Sequence, residues 1–494
     1  MNPSKTLGHM LGCSAGQDPH KTALYCGDRC MSYAELDQST TRLARWFLEE
    51  GLRPGDRVAI HWSNSIEVVQ LFFAIFKAGL IAVPLNLRLK SVELAYILGH
   101  SQAAFCFSEP ALASLIEGVK ADCPSLRRIL TELPNADASA ELPEVLEDQP
   151  AAILYTSGTT ARPKGTTHTH KSFLHTTRIM VIDLSDHTDT ILVVTQMLHA
   201  SGLNAAMLPA IYLGISAVLV PAFDPGLVLD LIERFRCTYA IALPALLLFV
   251  VEEQTRQPRD VSCLRTWIAG GDVVSVHLQE RFQALFGIPV QEVYGMTETL
   301  LATLNPRDAL RPGSIGKAKP GFEVSIMDFE GKAVPDGETG EIVIRSLANC
   351  VGYWNDPAAT EELFRDGWLQ TGDLGSRDTS GYYWFRGRKK EIIVRAGSNI
   401  SPQEVEEALY IHPAVLEAGV IGVPDETYGE RIIAFVALRA GDPTEEQELR
   451  EHARQILADY KVPERIFLVP QLPKGLTGKV QRRALKELVP ALQC

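Results

Sequence analysis

The sequence predicts an α/β protein, with a large N-terminal domain of helix-covered sheets and a small C-terminal α+β domain. Three observations lead there. Short apolar runs of strand length alternate with amphipathic helical stretches, the pattern of parallel sheets covered on both faces. A basic stretch, Arg386-Gly387-Arg388-Lys389-Lys390, then interrupts that alternation and divides the chain into residues 1–389 and 390–494. Finally, 494 residues, 46% of them apolar, exceed one ordinary domain and can fill sizeable cores.

In chain order, Ser32-Tyr33-Ala34-Glu35 has the form of a capping box, followed by Leu36, Leu43, Phe47 and Leu48 near helical spacing. Residues 57–60 and 81–85 read as buried strands on either side of a helix through Val68, Leu71, Phe72, Ile75 and Phe76, whose apolar stripe suits a core. The acidic, proline-punctuated stretch 137–150 reads as a surface connection, and residues 216–220 and 238–243 as further strands, each near an amphipathic helix. Beyond the basic stretch come a helix near 402–410, strands at 415–423 and 432–438, a helix around 445–457 and a mobile-looking segment at 470–478. About 100 residues suffice for a small domain of this kind. No internal repeat or low-complexity tract interrupts the chain.

Charge and cysteine usage narrow the class. Forty-seven basic against sixty acidic residues give a net charge of −13, which disfavours a general nucleic-acid or anionic-membrane binder. Nine scattered cysteines, an odd number, read as reduced thiols of a cytoplasmic protein. Cys26 and Cys30 are close, yet no nearby Cys/His pair completes a zinc set. The Met-Asn-Pro-Ser-Lys start lacks the pattern of a signal peptide, and no apolar run approaches the roughly 20 residues of a membrane helix. An integral membrane segment is therefore not expected.

The most informative segment is Tyr-Thr-Ser-Gly-Thr-Thr-Ala-Arg-Pro-Lys-Gly at residues 155–165. It follows the apolar run 151–154, as a strand ending at an active-site edge would. Gly158 and Gly165 let backbone amides approach anionic oxygens, Ser157, Thr159 and Thr160 add hydroxyl donors, and Lys164 adds a positive charge. The segment suits a polyphosphate. It is not the P-loop of ordinary NTPases, because Pro163 stands where that motif requires glycine.

With this loop as the first of several motifs in order, the chain resembles the adenylate-forming superfamily of acyl-CoA synthetases, nonribosomal-peptide adenylation domains and luciferases along nearly its whole length. Met197-Leu198-His199-Ala200-Ser201-Gly202 is similar to the segment lining the acyl pocket, and Ala269-Gly270-Gly271-Asp272 to its small-residue floor. Tyr294-Gly295-Met296-Thr297-Glu298 resembles the adenine and metal motif, Thr371-Gly372-Asp373 the ribose motif, and Arg386 to Glu391 the hinge. Gly478-Lys479-Val480-Gln481-Arg482-Arg483 resembles the segment carrying the adenylation lysine.

The resemblance implies an ATP-dependent, AMP-forming acid:CoA ligase that uses ATP, Mg2+ and CoA. It assigns Lys479, Glu298, Thr297 and His199 to catalysis, and Thr159 and Glu298 to the metal. Nucleotide binding falls to Thr156, Ser157, Gly158, Thr159, Thr160, Lys164, Gly271, Tyr294, Gly295, Asp373, Arg388 and Lys479. A tyrosine ring can stack on adenine, and a carboxylate can accept from both ribose hydroxyls. After adenylation the mobile small domain of the family swings about a pivot, here Lys390, and Arg395, Gly397 and Ser398 would form the pantetheine tunnel. The implied partners are a small carboxylic acid, ATP and CoA; a homodimer is compatible with the family, and a carrier-protein phosphopantetheine is the alternative acceptor.

The acyl pocket is expected from His199, Ala269, Gly270, Met296 and Leu300, with Leu301 nearby. Amino-acid-activating relatives place Asp in the segment holding His199, and malonate-type relatives often place a basic residue where Val293 stands. The expected substrate is therefore an uncharged aromatic, alicyclic or medium-chain acid. His199 reads either as a gate at the pocket mouth or as a hydrogen-bonded core histidine. Asp272 is open between substrate, nucleotide and backbone amides.

Overall fold

The computed structural model describes residues 4–135, 137–156, 162–182, 184, 189–396, 398–425, 427–475 and 479–492. A mixed α/β body carries three sheets, and a small C-terminal α+β unit carries a fourth. The largest sheet has nine strands, with parallel pairing running from Val290–Met296 through Thr266–Gly270, Tyr239–Ala242, Thr190–Val193 and Ser216–Leu219 to Thr22–Cys26. Antiparallel strands close both of its ends. A seven-stranded sheet is parallel across Ile81–Pro84, Arg57–His61, Ala103–Ser108 and Arg128–Leu130.

Helices fill the space between these two sheets. Ser32 accepts from the Glu35 amide while its own amide donates to the Glu35 carboxylate at 2.8 Å, so the capping box is formed. Behind it Leu36, Leu43 and Phe47 are buried, whereas Leu48 only packs against the core from outside. Helix Ile66–Lys77 buries Val68, Leu71, Phe72, Ile75 and Phe76, and its Lys77 ammonium donates to the Asp37 carboxylate at 2.7 Å. The 151–154 run lies in strand Pro150–Thr156, and the 216–220 and 238–243 runs become Ser216–Leu219 and Tyr239–Ala242.

Two features were not read from the sequence. Pro150–Thr156 pairs antiparallel with Lys164–Thr169, a polar run that reads as loop but whose residues 165–169 are buried. Residues 322–388 contribute an antiparallel sheet whose main strands, Phe322–Met327, Thr339–Ser346, Trp368–Arg377 and Tyr383–Arg388, mix buried and partly buried positions, with only Ile342-Val343-Ile344 as a wholly buried apolar run.

That third sheet ends at strand Tyr383–Arg388, and the small unit's sheet begins at Ile393–Arg395, leaving residues 389–392 as the connection. In the small unit, Val415–Asp425 and Gly429–Leu438 form a long hairpin, with helices Pro402–Tyr410 and Glu446–Ile456 in contact over it. No helix among the described residues is long and apolar enough to cross a membrane.

Candidate active site

The site lies at the C-terminal ends of the parallel strands Tyr239–Ala242, Thr266–Gly270 and Val290–Met296, where open α/β sheets bind ligands. Glycines make the close approaches there. A Cβ on Gly295 would sit 1.8 Å from the Leu300 carbonyl oxygen, so only glycine lets strand Leu300–Leu304 fold back so tightly. Leu300 itself has φ 57, a left-handed conformation costly for a leucine and typical of functional sites.

An acyl-sized cavity of about 160 Å³ opens beneath this turn, lined among others by Thr195, His199, Asn204, Gly270, Met296 and Leu300. The Asn86 side-chain nitrogen lies 2.9 Å from His199 Nε2. Burial, reinforced by the Arg88 charge, pushes the His199 pKa down to about 4, so the ring is neutral and accepts at Nε2. Asn86 was not legible in the sequence, since it stands 113 positions from its partner.

Ala269 requires a correction. It does not line the cavity but is wholly buried with Trp267, Val274 and Phe282 in a separate cluster. Strand side chains alternate between faces, and Gly270 takes the cavity side.

An adjoining cavity of about 170 Å³ is lined by Gly271, Asp272, Tyr294, Gly295, Asp373 and Arg388, among others. The Tyr294 hydroxyl donates to Asp373 Oδ2 at 2.9 Å, and Arg388 Nε lies 3.3 Å from Asp373 Oδ1. Burial raises the Asp373 pKa, while Arg388, the Tyr294 hydroxyl and Lys479 oppose the rise. Asp373 faces Arg388 directly across the pairing of strands Trp368–Arg377 and Tyr383–Arg388, so backbone register sets this ion pair.

Lys479, on the small unit, lines both cavities. Burial lowers the pKa of its ammonium, and the Asp272 and Asp373 charges pull it back up. The exposed Asp272, whose Oδ1 also accepts from the Val273 amide at 3.0 Å, thus acts on the lysine from the cleft wall.

Glu298 is buried, and its Oε1 accepts from the Tyr353 hydroxyl at 2.9 Å. Lys164 Nζ lies 4.7 Å from the centroid of that same tyrosine ring. Burial raises the Glu298 pKa against the Tyr353 hydrogen bond, a bias that a bound cation would reverse. Thr297 is held through its carbonyl by His168 Nε2 at 2.7 Å. Tyr353 and His168 are further residues that sequence reasoning missed.

Among the described residues no cluster of three His, Cys, Asp or Glu side chains could hold a metal. One carboxylate completed by substrate phosphates is nonetheless the usual magnesium arrangement, and Glu298 fits that role. Of the remaining expected residues, Thr156 is half-buried at the end of strand Pro150–Thr156. Ser157, Gly158, Thr159, Thr160 and Gly397 lie outside the described residues. Arg395 and Ser398 are not brought to either cavity; Arg395 Nη2 instead pairs with Glu464 Oε1 at 2.6 Å inside the small unit.

Residues 13–354 match the family model of the AMP-binding enzyme, and residues 404–479 match that of the AMP-binding enzyme C-terminal domain. The chain is 34% identical to a sulfoacetate–CoA ligase of Cupriavidus necator, with 97% of each chain covered. It is 32% identical to a fatty acid–[acyl-carrier-protein] ligase of Streptomyces coeruleorubidus over 98% of this chain and 96% of the other. Its fold overlays the crystal structure of an anthranilate CoA ligase in complex with anthranoyl-AMP with a TM-score of 0.94, at 29% identity, covering 99% and 98% of the two chains. With family models over both parts of the chain and relatives matched along almost its entire length, this protein belongs to the AMP-binding enzyme family, the adenylate-forming superfamily of acid:CoA ligases.

Proposed function

We propose that this enzyme activates a carboxylic acid with ATP and transfers the acyl group to CoA. One observation carries the reading: a single lysine, Lys479, borders both the acyl-sized cavity and the cavity holding the Tyr294–Asp373–Arg388 cluster. In the first step a substrate carboxylate oxygen bonds to the α-phosphorus of ATP as the bond to pyrophosphate breaks. Lys479 neutralises charge on the carboxylate and the α-phosphate, which is the preorganised electrostatic help such a transition state needs. Asp373 accepts from the ribose hydroxyls, and Tyr294 offers its ring to adenine. Glu298, with Thr159, would hold Mg2+, whose charge offsets that of the phosphates when bound.

In the second step the CoA sulfur bonds to the acyl carbon, the acyl–oxygen bond to AMP breaks, and the thiol proton leaves to solvent. The small domain, residues 390–494, turns about Lys390 between the steps, withdrawing Lys479 and bringing Arg395, Gly397 and Ser398 to the pantetheine path. The short connection 389–392 between two separate sheets supports a pivot there. The acid is an uncharged aromatic, alicyclic or medium-chain carboxylate. A carrier-protein phosphopantetheine is the second acceptor reading, favoured by the likeness to the acyl-carrier-protein ligase. We place the enzyme in the cytoplasm; the free thiols of the described cysteines support this.

The test is an acid panel measured by ATP–pyrophosphate exchange and by product analysis, with CoA, with a phosphopantetheinylated carrier protein, or with neither. Acid-dependent exchange without acceptor, and acyl-CoA plus AMP with CoA, are expected. Exchange with acylation of the carrier alone would replace the CoA reading with the second one.

A further inference from the structure

Arg439 follows strand Gly429–Leu438 of the small domain, and its guanidinium reaches in two directions. Nε donates to the Pro413 carbonyl at 3.0 Å, which fixes the side chain to its own domain. Nη1 donates at 2.7 Å to Glu252 Oε1, on helix Pro244–Arg256 of the large domain. The same oxygen accepts at 2.8 Å from Arg281 Nη1, on helix Val276–Phe286 of the large domain. One carboxylate oxygen is thus shared by an arginine from each side of the domain seam.

A second contact crosses the seam beside it. Phe249 precedes Glu252 on the same helix, and Lys474 Nζ sits 5.5 Å from its ring centroid while pairing with Glu417 of the small domain. Lys474 is tied to the segment that carries Lys479: it forms an isolated antiparallel bridge with Val480, and the Gly475 amide donates to the Lys479 carbonyl at 2.7 Å. Arg281, Arg439, Lys474 and Lys479 border one cavity of about 120 Å³. Where Arg439 is held, the Lys479 segment is held over the cleft.

The charges suit a contact that must also be released. Burial opposes ionisation of Glu252, but the hydrogen bonds from Arg281 and Arg439 hold its pKa below the ordinary value, so it is a carboxylate at neutral pH. The Glu252 and Arg439 side chains keep 39% and 29% exposure, which leaves the pair screened and weak enough to open. Arg281 stays with Glu252 when Arg439 leaves, so no carboxylate is stranded without a partner.

We infer that Arg439 is a positioning residue for the first half-reaction, its ion pair with Glu252 latching the small domain in the arrangement that puts Lys479 at the cleft. This rests on the ligase reading above. Arg439 lines neither the acyl-sized cavity nor the one holding Asp373, so it acts through Lys479 and not on the substrates. The thiol step, for which the small domain turns away, does not use the pair.

The experiment measures acid-dependent ATP–pyrophosphate exchange, with the acid that wild type activates fastest, and thioester formation from the matching synthetic acyl-AMP and CoA. Wild type is compared with Glu252→Gln, Arg439→Glu and the charge swap that combines Arg439→Glu with Glu252→Arg. In the swap one carboxylate again meets two arginines. Exchange is expected to fall about fivefold in Glu252→Gln, which leaves the Pro413 contact intact, and about tenfold or more in Arg439→Glu, where two carboxylates meet. Thioester formation should stay at or above the wild-type rate, and the swap should recover most of the exchange. Unchanged exchange in Glu252→Gln and Arg439→Glu overturns the inference and leaves the ligase reading intact. An equal fall in both half-reactions, or a swap no better than Arg439→Glu alone, also overturns it, because an arginine that only anchors its own domain would behave in that way. Folded wild type without exchange on any acid would sink the ligase reading, and the latch with it.

Discussion

His199, on the wall of the acyl-sized cavity, faces Asn86, whose amide nitrogen lies 2.9 Å from Nε2. The donor fixes the proton of the neutral imidazole on Nδ1 and sets the ring's orientation. Asn86→Leu should therefore lower kcat/KM for the acid by about fivefold to tenfold, the worth of one hydrogen bond. It should also change the titration of the His199 ring, whose pKa burial and the Arg88 charge hold down to about 4. NMR titration of the histidine ring protons and steady-state kinetics check both parts. An unchanged His199 titration in a folded variant would remove Asn86 from this role.

His168 is wholly buried, and burial pushes its pKa down to about 4, with the Thr297 carbonyl opposing. The unfolded chain binds this proton near pH 6.5 while the folded protein refuses it, so stability falls as pH drops from about 6.5 towards 4, at roughly 1.4 kcal/mol per pH unit for one such histidine. Burial pushes the pKa values of His61 and His170 down to about 4 in the same way. Denaturant unfolding across pH 4 to 7 should show this loss, and His168→Gln should flatten it by about one proton. A slope identical to wild type would contradict the assignment.

Glu298→Gln should remove the magnesium dependence of adenylation along with most of the rate. Tyr353→Phe deletes only the hydrogen bond that orients the carboxylate and should raise the magnesium concentration for half-maximal exchange roughly tenfold. Metal titrations of pyrophosphate exchange decide; a normal titration in both variants takes Glu298 out of the metal site.

Lys390 stands in the short connection between two sheets. Proline fixes φ and restricts the preceding residue, so Lys390→Pro should hold the domains in the adenylating arrangement. Pyrophosphate exchange should persist while acyl-CoA formation collapses. Equal wild-type rates in both assays would show that no turn about residue 390 is required.

The parts of the site legible in the sequence are those carried by short glycine-flanked motifs at strand ends. Tyr294, Asp373, Arg388 and Lys479 belong to such motifs, and the fold brings all four to one cavity. What stayed hidden depends on contacts between distant segments. Asn86 follows an apolar strand and looks like a turn residue until His199 is beside it, and Tyr353 becomes meaningful only when strand Gly352–Tyr353 docks on Lys164–Thr169. Ala269 was misassigned because a motif names consecutive residues, whereas a strand sends neighbours to opposite faces. The sheet within 322–388 escaped notice because polar, partly buried residues dilute the apolar signal of its strands, as in Phe322–Met327 and Trp368–Arg377.

Lys479 belongs to the small domain but borders both cavities, and the proposed two-step reaction would require it in only the first step. The most direct measurement separates the steps in Lys479→Ala. Acid-dependent ATP–pyrophosphate exchange is expected to fall at least about 100-fold, the usual loss when one transition-state charge partner is removed. Thioester formation from synthetic acyl-AMP and CoA should stay near the wild-type rate. An equal fall in both half-reactions, in a variant shown to be folded, would contradict the division of labour between the domains.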